Sequence, residues 1–388
     1  MFEFLNRINT DSKKWDREPK TKDGFIPMNI ADMDFLISKD IAKDLEKRSN
    51  FWNYGYVHQS DELFNSIIKW QEKKNNWKIK KEWITSSPGI IAAAAMSILA
   101  FTNVGDDIIL QTPAYSHFYD IIEKNNRNVI SNPLKYKNGK YELNIEHLKT
   151  LITSRTKLMI FCSPHNPTGR VWQKDEINEL YKVLKNSNIL VFSDEIFSDI
   201  IFSPYKHIVL ANTEFDLKNR IITAMSPSKA FNLSGLSAAY TIISDENIRN
   251  RYRQVFETLG IDEINSFGVV GINSAYQKGE KWLMNLINHL EINKNKLLDF
   301  FNKNVEFNVI QPQGTFMMWI DCSKIQKKIN PTLFFEKYCK IILSDGKNFG
   351  EKYKNFVRIS YACSSEQLEE VISRIKRGLE IWRGKNGN

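Results

Sequence analysis

The sequence predicts an α/β fold with a mostly parallel central sheet, helices on both faces of that sheet, and a smaller α+β domain. Short runs rich in Ile, Leu and Val alternate with helical stretches and end at polar or turn residues, which is typical of strands buried on both faces. The last part of the chain instead mixes short strands with a helix. With 388 residues, the chain is long enough for two domains.

Each predicted strand of the central sheet is a short apolar run with a helix candidate nearby in the chain. The helix candidates cover residues 90–100, 116–124 and 174–185. Alternation of strands and helices favours a parallel sheet, whose binding sites gather at the carboxyl ends of the strands. The five strand runs are "DDIILQTP", "TKLMIFCSP", "NILVFSDE", "RIITAMS" and "AAYTIIS".

The chain divides by composition into a large and a small predicted domain. Residues 247–304 are helical and polar, and the part after them contains the short strand runs "GTFMMWID" and "FVRISYA" before a terminal helix. The N-terminal segment with "FIPMNIADMDF" precedes the sheet and is expected to pack with that last part. We therefore expect a large domain at 46–285 and a small domain formed by 1–45 and 286–388.

Composition narrows the class of protein. The net charge of +9 favours anionic small molecules, and no nucleic-acid-binding module accompanies it. No apolar run is long enough for a membrane span, and the N-terminus lacks the apolar core of a secretory signal. The four cysteines form no C-x-x-C pair and the six histidines show no metal-ligand spacing. We expect a cytoplasmic protein without a metal site.

Two stretches carry unusual charges at the ends of apolar strands. In "VFSDEIFSD", Asp194 and Glu195 follow a buried run at once, and in "AMSPSKAFNLSGL" Lys229 follows another. Desolvating such charges is costly unless a partner compensates it. A lysine bound as a Schiff base to a carbonyl cofactor avoids the cost for the lysine, and a cation on the acid avoids it for Asp194. A surface lysine after a strand is the ordinary alternative.

Pyridoxal phosphate requires a lysine, an acid at its ring nitrogen, a phosphate cup and a platform for its ring. Asp194 supplies an acid, and a helix N-terminus at Gly89 favours an anion. Gly89 alone also fits a plain turn, and Tyr115 alone also fits core packing. The remaining candidates are Ser226 and Ser228 as hydroxyl donors to the phosphate, Tyr115 as the platform, and Asn166 in "SPHNPTGRVW" as the donor to the phenolic oxygen.

The motifs N-P-T-G, S-D-E-I and S-x-S-K, in that order, resemble those of the fold-type-I pyridoxal phosphate enzymes of the class I/II aminotransferase group. Together with "NIADMDF", "YGYVHQSDELFNSIIKW", "TPAYSHFY" and "VRISYAC", they look like the cystathionine β-lyase and C–S lyase branch of MalY/PatB type. The resemblance covers nearly the whole chain. The absence of an arginine at residues 236–238 also fits that branch.

The resemblance implies a role for each matching residue. Lys229 binds the cofactor and moves the Cα proton, and Arg358 holds the substrate carboxylate together with Asn166. Tyr56 reaches a phosphate of the neighbouring subunit, which implies a homodimer. The implied cofactor-binding set comprises Gly89, Ile90, Tyr115, Asn166, Asp194, Ser226, Ser228, Lys229 and Tyr56.

This chain departs from its relatives at two points. Many relatives carry Tyr or His where this chain has Phe197, which cannot donate a hydrogen bond to the cofactor oxygen. The last motif ends in "SYAC", where relatives often have N-A-G-C or N-I-G-C. The substrate pocket and the balance between reactions are expected to differ accordingly.

The leading functional prediction is a β-eliminating C–S lyase that acts on cystathionine- or cysteine-like amino acids and releases thiol, pyruvate and ammonia. An aminotransferase on the same scaffold is the alternative, because return of the proton to a different atom needs only small geometric changes. A cofactor-binding protein without turnover is a third reading. The set of Lys229, Asp194, Asn166 and Arg358 argues against that third reading.

Overall fold

The computed structural model describes residues 3–137, 139–213, 216–261 and 263–386. Its α-helices are α1 (Lys39–Ser49), α2 (Asp61–Asn75), α3 (Ile90–Phe101), α4 (Ser116–Lys124), α5 (Ile145–Leu151), α6 (Lys174–Leu184), α7 (Glu246–Leu259), α8 (Ser266–Lys278), α9 (Glu280–Asn302), α10 (Ser323–Gln326), α11 (Pro331–Phe334) and α12 (Ser365–Asn386). Its strands are β1 (Ile26–Pro27), β2 (Ile84–Ser87), β3 (Asp107–Thr112), β4 (Asn128–Pro133), β5 (Lys135–Lys137), β6 (Lys140–Glu142), β7 (Thr156–Cys162), β8 (Leu190–Asp194), β9 (Ile221–Met225), β10 (Ala239–Ile242), β11 (Asn308–Ile310), β12 (Met317–Asp321), β13 (Ile341–Ile342), β14 (Ser344–Asp345) and β15 (Phe356–Ser360).

The large sheet has seven strands in the order β2-β10-β9-β8-β7-β3-β4. Strands β9, β8, β7, β3 and β4 are parallel neighbours, whereas β10 runs antiparallel to both β9 and β2. The predicted mostly parallel sheet is therefore confirmed. The exception is the run "AAYTIIS", which follows β9 after a short connection and turns back beside it, as an antiparallel neighbour can.

Both faces of the large sheet are buried, and alternate residues of its strands face different cores. In β8, Val191 packs in one apolar cluster and Phe192 in the other. In β7, Met159 and Ile160 alternate in the same way. This alternation explains why the strands are continuous apolar runs rather than polar–apolar repeats. Helix α3 packs against α7 and α4 on one face, and its Ala-rich sequence permits close contact with the sheet.

A second sheet of four antiparallel strands, β11-β12-β15-β14, lies in the C-terminal part of the chain. The short strand β1, from the N-terminal segment, pairs in parallel with β13 of the C-terminal part of the chain. The predicted domain boundaries at 45/46 and 285/286 fall inside α1 and α9. The division into two domains stays a prediction.

Two further findings bear on the class of protein. No helix in the described part of the chain is long and apolar enough to cross a membrane. All four cysteines are free and buried, so the described structure contains no disulfide.

Candidate active site

Most of the predicted site residues lie at or just after the carboxyl ends of strands in the large sheet, with at least one residue at or after the end of each of five strands. The strands concerned run in one direction, so their carboxyl ends meet at the same edge, where open α/β sheets bind their ligands. They include Gly89 after β2, Tyr115 after β3, Asn166 after β7, Asp194 at the end of β8 and Lys229 after β9.

Asp194 is a buried carboxyl group with few donors. One oxygen accepts a hydrogen bond from the backbone N–H of Ile196 at 3.1 Å, and the thiol of Cys162 lies 3.9 Å from the other. Burial raises the pKa of Asp194 to about 7, because these donors compensate little of the desolvation. A cation placed on this carboxylate would favour its ionised form. The protonated ring nitrogen of pyridoxal phosphate is such a cation.

Glu195, the second acid of the "SDE" motif, belongs to the opposite side of the strand. Its carboxylate accepts hydrogen bonds from Ser193 Oγ at 2.8 Å and from the Leu210 N–H at 3.2 Å, and His207 Nε2 lies 2.6 Å away. It is fully buried and satisfied by these partners. Of these two adjacent acids, only Asp194 lies with the other candidate site residues, while Glu195 anchors the loop that follows β8.

Lys229 extends from the turn after β9 toward the N-terminal segment. Its Nζ donates hydrogen bonds to the carbonyl of Ala31 at 2.7 Å and to Ser234 Oγ at 3.2 Å. Burial lowers the pKa of Lys229 to about 8, against the opposing charge of Asp32. A lysine with this pKa has a larger neutral fraction near neutral pH than an ordinary lysine, and a nucleophilic amine must be neutral.

Arg358 comes from β15 of the four-stranded sheet and is 4% exposed. Its guanidinium donates to Asn166 Oδ1 at 2.9 Å, to the Asn29 carbonyl at 2.9 Å and to Ser344 Oγ at 3.3 Å. None of these partners is a carboxylate, and Nε has no partner in the described structure. Burial lowers the pKa of Arg358 to about 10. A buried cation without a counterion is costly, so an anionic ligand fits here.

Asn166 and Tyr115 lie between these charges. The bond from Arg358 uses the amide oxygen of Asn166, which leaves its NH₂ group as the donor for a ligand oxygen. Tyr115 caps the N-terminus of α4 and is half-buried. Burial raises the pKa of its hydroxyl, and the charges of Arg358 and Asp194 also act on it. The structure thus brings Tyr115, Asn166, Asp194, Lys229 and Arg358 together.

The start of α3 has the form of an anion cup. The helix begins at Ile90, so the first N–H groups after Gly89 have no partner within the helix. The backbone of Gly89 is extended, which any residue adopts, but a Cβ added there would meet no atom within 4 Å. Glycine therefore leaves an open space beside the helix N-terminus, where a phosphate fits.

The two serines before Lys229 shape the turn that carries it. Ser226 Oγ donates to the Ala238 carbonyl at 2.7 Å and accepts from the Ser228 N–H at 3.0 Å. The one proton of the Ser226 hydroxyl is therefore engaged within the protein, whereas we expected it to point at a phosphate. In this structure Ser226 fixes the turn after β9.

Tyr56 lies outside this cluster and is fully exposed in the segment between α1 and α2. This chain alone does not bring it to the other site residues. Phe197 is buried, with its ring 5.4 Å from that of Phe316 in an edge-to-face arrangement. It packs in the core below the site and offers no hydrogen bond there.

The sequence did not predict the part that the N-terminal segment takes in the site. The carbonyls of Asn29 and Ala31 accept from Arg358 and Lys229, so the segment lies across both cations. The stretch "FIPMNIADMDF" was noticeable in the sequence, but a backbone carbonyl carries no side-chain signal. Ser344 was missed for a similar reason, because a lone serine is unremarkable in a sequence.

Comparison with known proteins agrees with this geometry. The family model for aminotransferase class I and II matches residues 23–375. Cystathionine beta-lyase PatB of Bacillus subtilis (strain 168) is 33% identical over 387 residues, covering 96% of this chain and 98% of PatB.

Two solved structures share the fold over almost their whole length. Cystalysin from Treponema denticola, which contains a pyridoxal 5'-phosphate cofactor, has a TM-score of 0.94 and 29% identity, with 98% of this chain and 100% of that chain covered. The PLP-bound C-S lyase from Staphylococcus hominis has a TM-score of 0.90 and 29% identity, with 97% of each chain covered. The chain belongs to the aminotransferase class I and II family, with the fold-type-I architecture that its motifs predicted.

Proposed function

We propose that this protein is a pyridoxal phosphate-dependent carbon–sulfur lyase that acts on cystathionine- or cysteine-like amino acids. The observation that carries the proposal is the convergence of Lys229, Asp194 and Arg358 at one sheet edge, each with a charge that the protein leaves poorly compensated. The likeness to PatB and to the C-S lyase of Staphylococcus hominis supports lyase activity over transamination.

The residues present fit the cofactor. Asp194 would pair with its ring nitrogen, Asn166 would donate to its phenolic oxygen, and Tyr115 would stack on its ring. The open space at Gly89 and the N–H groups of the first turn from Ile90 would hold the phosphate, with Ser228 beside them and Ser226 fixing the turn. Lys229 would hold the cofactor's carbonyl carbon covalently.

When bound, pyridoxal phosphate accepts the electrons that the Cα–H bond of an amino acid leaves behind. Arg358 would bind the substrate carboxylate through its planar guanidinium and so orient the Cα–H bond toward Lys229. The Lys229 amine, held near the Ala31 carbonyl, would remove the Cα proton. The net reaction consumes one water and converts the thioether amino acid into a thiol, pyruvate and ammonium.

We also propose that the protein is a homodimer in the cytoplasm. Tyr56 is fully exposed in this chain and lies outside the cluster of site residues, which supports a role for it at the phosphate of another subunit. The four free cysteines suit a reducing compartment. We also propose that residues 46–285 form the large cofactor-binding domain and that residues 1–45 and 286–388 form the small domain.

Pyruvate release separates the lyase from the aminotransferase. The purified protein, incubated with cystathionine or S-methylcysteine and no keto acid, should release pyruvate and thiol in equal amounts. Consumption of substrate only when a keto acid is added would identify an aminotransferase instead. Lack of turnover with either class of substrate would favour a cofactor-binding protein without catalysis.

Borohydride reduction tests the assignment of the lysine. Reduction of the yellow protein should fix the cofactor on the peptide that contains Lys229, as read by mass spectrometry. Recovery of the label on another lysine would contradict the assignment.

A further inference from the structure

The segment that carries Phe349 connects the small sheet to the helix that carries Tyr115. The Phe349 carbonyl accepts two hydrogen bonds, from the Ala114 N–H at 3.0 Å and from the Tyr119 hydroxyl at 3.0 Å. Tyr119 lies one helical turn after Tyr115 on α4. This pair of bonds therefore ties the segment to the corner at which the large sheet presents Tyr115.

The Phe349 side chain covers the buried guanidinium. Its ring centre lies 4.9 Å from Arg358 Cζ, and Trp319 packs edge-to-face against it at 5.2 Å. Phe349 is 2% exposed, so the contact between its ring and the guanidinium is shielded from water. An aromatic face attracts a desolvated cation and excludes water from one side of it, so the Phe349 ring helps to hold the guanidinium in its orientation.

The segment approaches α4 closely at Gly350. Gly350 has a φ of +128°, and a Cβ there would lie 3.0 Å from the Tyr119 hydroxyl oxygen. A third bond joins the Tyr353 hydroxyl to Thr112 Oγ1 at 3.3 Å, at the end of β3. The contact is therefore continuous from β3 to α4.

We propose that Tyr119 and Phe349 are positioning residues for the carboxylate site of Arg358. Arg358 belongs to the four-stranded sheet, whereas Tyr115, Asn166 and Lys229 follow strands of the large sheet. The distance between the Arg358 guanidinium and the Lys229 amine therefore depends on how these two sheets are joined. The tie through Phe349 sets that distance, and its ring sets the orientation of the guanidinium.

This inference rests on the proposed role of Arg358, and the experiment separates the two. The probe is 3-(methylthio)propanoate, which has the carboxylate and thioether of a substrate but no amine. Its affinity for the purified, cofactor-loaded protein is measured by calorimetry, and KM and kcat are measured with S-methylcysteine. Thermal unfolding is recorded for every variant.

Tyr119→Phe removes one hydroxyl and should weaken probe binding about 3- to 10-fold, the effect of one buried hydrogen bond. Phe349→Leu removes the ring and should weaken it about 10- to 30-fold, as for a desolvated cation–π contact. In both variants KM should rise by a similar factor, while kcat changes less than about 3-fold.

Two controls match these changes. Tyr136→Phe removes the hydroxyl of an exposed tyrosine on β5, and Phe301→Leu shortens a buried phenylalanine of α9. Tyr136→Phe should alter neither affinity nor stability, and Phe301→Leu should lower stability without altering probe affinity. A stability loss with unchanged probe affinity in both Tyr119→Phe and Phe349→Leu would overturn the inference. Normal probe binding by Arg358→Ala would instead contradict the proposed carboxylate site itself.

Discussion

At the scale of single residues, the site is defined by charges that the protein buries without a full set of partners. Among the described residues, Arg358 has no carboxylate partner and Asp194 has one backbone donor and a distant thiol. Burial also shifts the pKa of Lys229 downward. Folding leaves such groups unpaired where a ligand completes them. Ligand binding should therefore measurably alter the electrostatic environment of each of these groups.

Replacing Arg358 tests the carboxylate site directly. Removing one partner of a buried charge pair costs about 2–5 kcal/mol, so Arg358→Ala should lower kcat/KM about 30-fold to several thousand-fold for every amino-acid substrate. Arg358→Lys should recover little, because an ammonium lacks the planar fork. The visible cofactor band should persist in both variants. Steady-state kinetics measures the loss of kcat/KM, and an absorption spectrum checks that the cofactor remains bound. Near-normal kcat/KM in the alanine variant would mean that another group binds the carboxylate.

The raised pKa of Asp194 predicts a pH dependence of stability in the cofactor-free protein. Burial raises the pKa from its usual value to about 7, so the unfolded chain loses this proton at lower pH than the folded protein does. The folded state is therefore destabilised progressively between about pH 4 and pH 7. The penalty reaches up to about 4 kcal/mol above that range.

The neutral variant Asp194→Asn removes this penalty. Thermal unfolding of the two cofactor-free proteins should show the variant as the more stable at pH 8, with the difference disappearing near pH 4. The cofactor should reverse the order at pH 8, because its cationic nitrogen stabilises the aspartate and not the asparagine. Equal pH profiles for the two cofactor-free proteins would indicate that Asp194 is ordinarily solvated.

At the scale of elements, the proposed phosphate cup consists of the β2–α3 junction rather than of particular side chains. Gly89 has an extended backbone and an empty space where its Cβ would lie. Its function in the cup is therefore separable from any function in folding. This distinguishes it from Gly350, whose positive φ is itself strained for other residues.

Gly89→Ala should consequently weaken the cofactor more than the fold. We expect the dissociation constant for pyridoxal phosphate to rise at least about 10-fold, because the methyl group occupies the cup and keeps the phosphate from the N–H groups. The unfolding free energy of the cofactor-free variant should fall by no more than about 1 kcal/mol, the usual effect at a helix N-cap. A large stability loss with unchanged cofactor affinity would show that Gly89 serves the fold.

At the scale of the whole molecule, one chain contains most of the site but leaves Tyr56 exposed. The segment between α1 and α2 also exposes Phe51, Trp52 and Tyr54. A cluster of exposed aromatic side chains of this kind is typical of a protein interface. It supports the proposed homodimer.

Complementation between two damaged chains tests whether Tyr56 acts across the dimer. Tyr56→Ala and Lys229→Ala chains, unfolded and refolded together, form mixed dimers in which one site has both an intact Lys229 and an intact Tyr56. Activity should rise above the average of the two variants. Activity equal to that average, with a dimer seen by sedimentation, would mean that Tyr56 does not serve the other subunit's site.

The sequence by itself determined the strand–helix alternation and the positions of the strand ends, and it singled out the candidate site residues. Predicted helix 116–124 coincides with α4, and the predicted ends of 90–100 and 174–185 differ from those of α3 and α6 by one residue. These features depend on local periodicity, caps and turns, which neighbouring residues specify. Lys229, Asp194 and Arg358 were recognisable because a charge that ends or interrupts an apolar strand is unusual.

Only the tertiary structure decided what those residues contact. Strand β10 runs antiparallel to its neighbours, and Glu195 bonds to His207 away from Asp194. The Ser226 hydroxyl donates to a backbone carbonyl within the protein. The carbonyls of Asn29 and Ala31 accept hydrogen bonds from Arg358 and Lys229. The tertiary structure also decided the extent of the terminal helix α12, which runs from Ser365 to Asn386. Contacts of this kind join residues far apart in the chain, often through backbone atoms that every residue shares. Their partners therefore become defined only when the two sheets pack together.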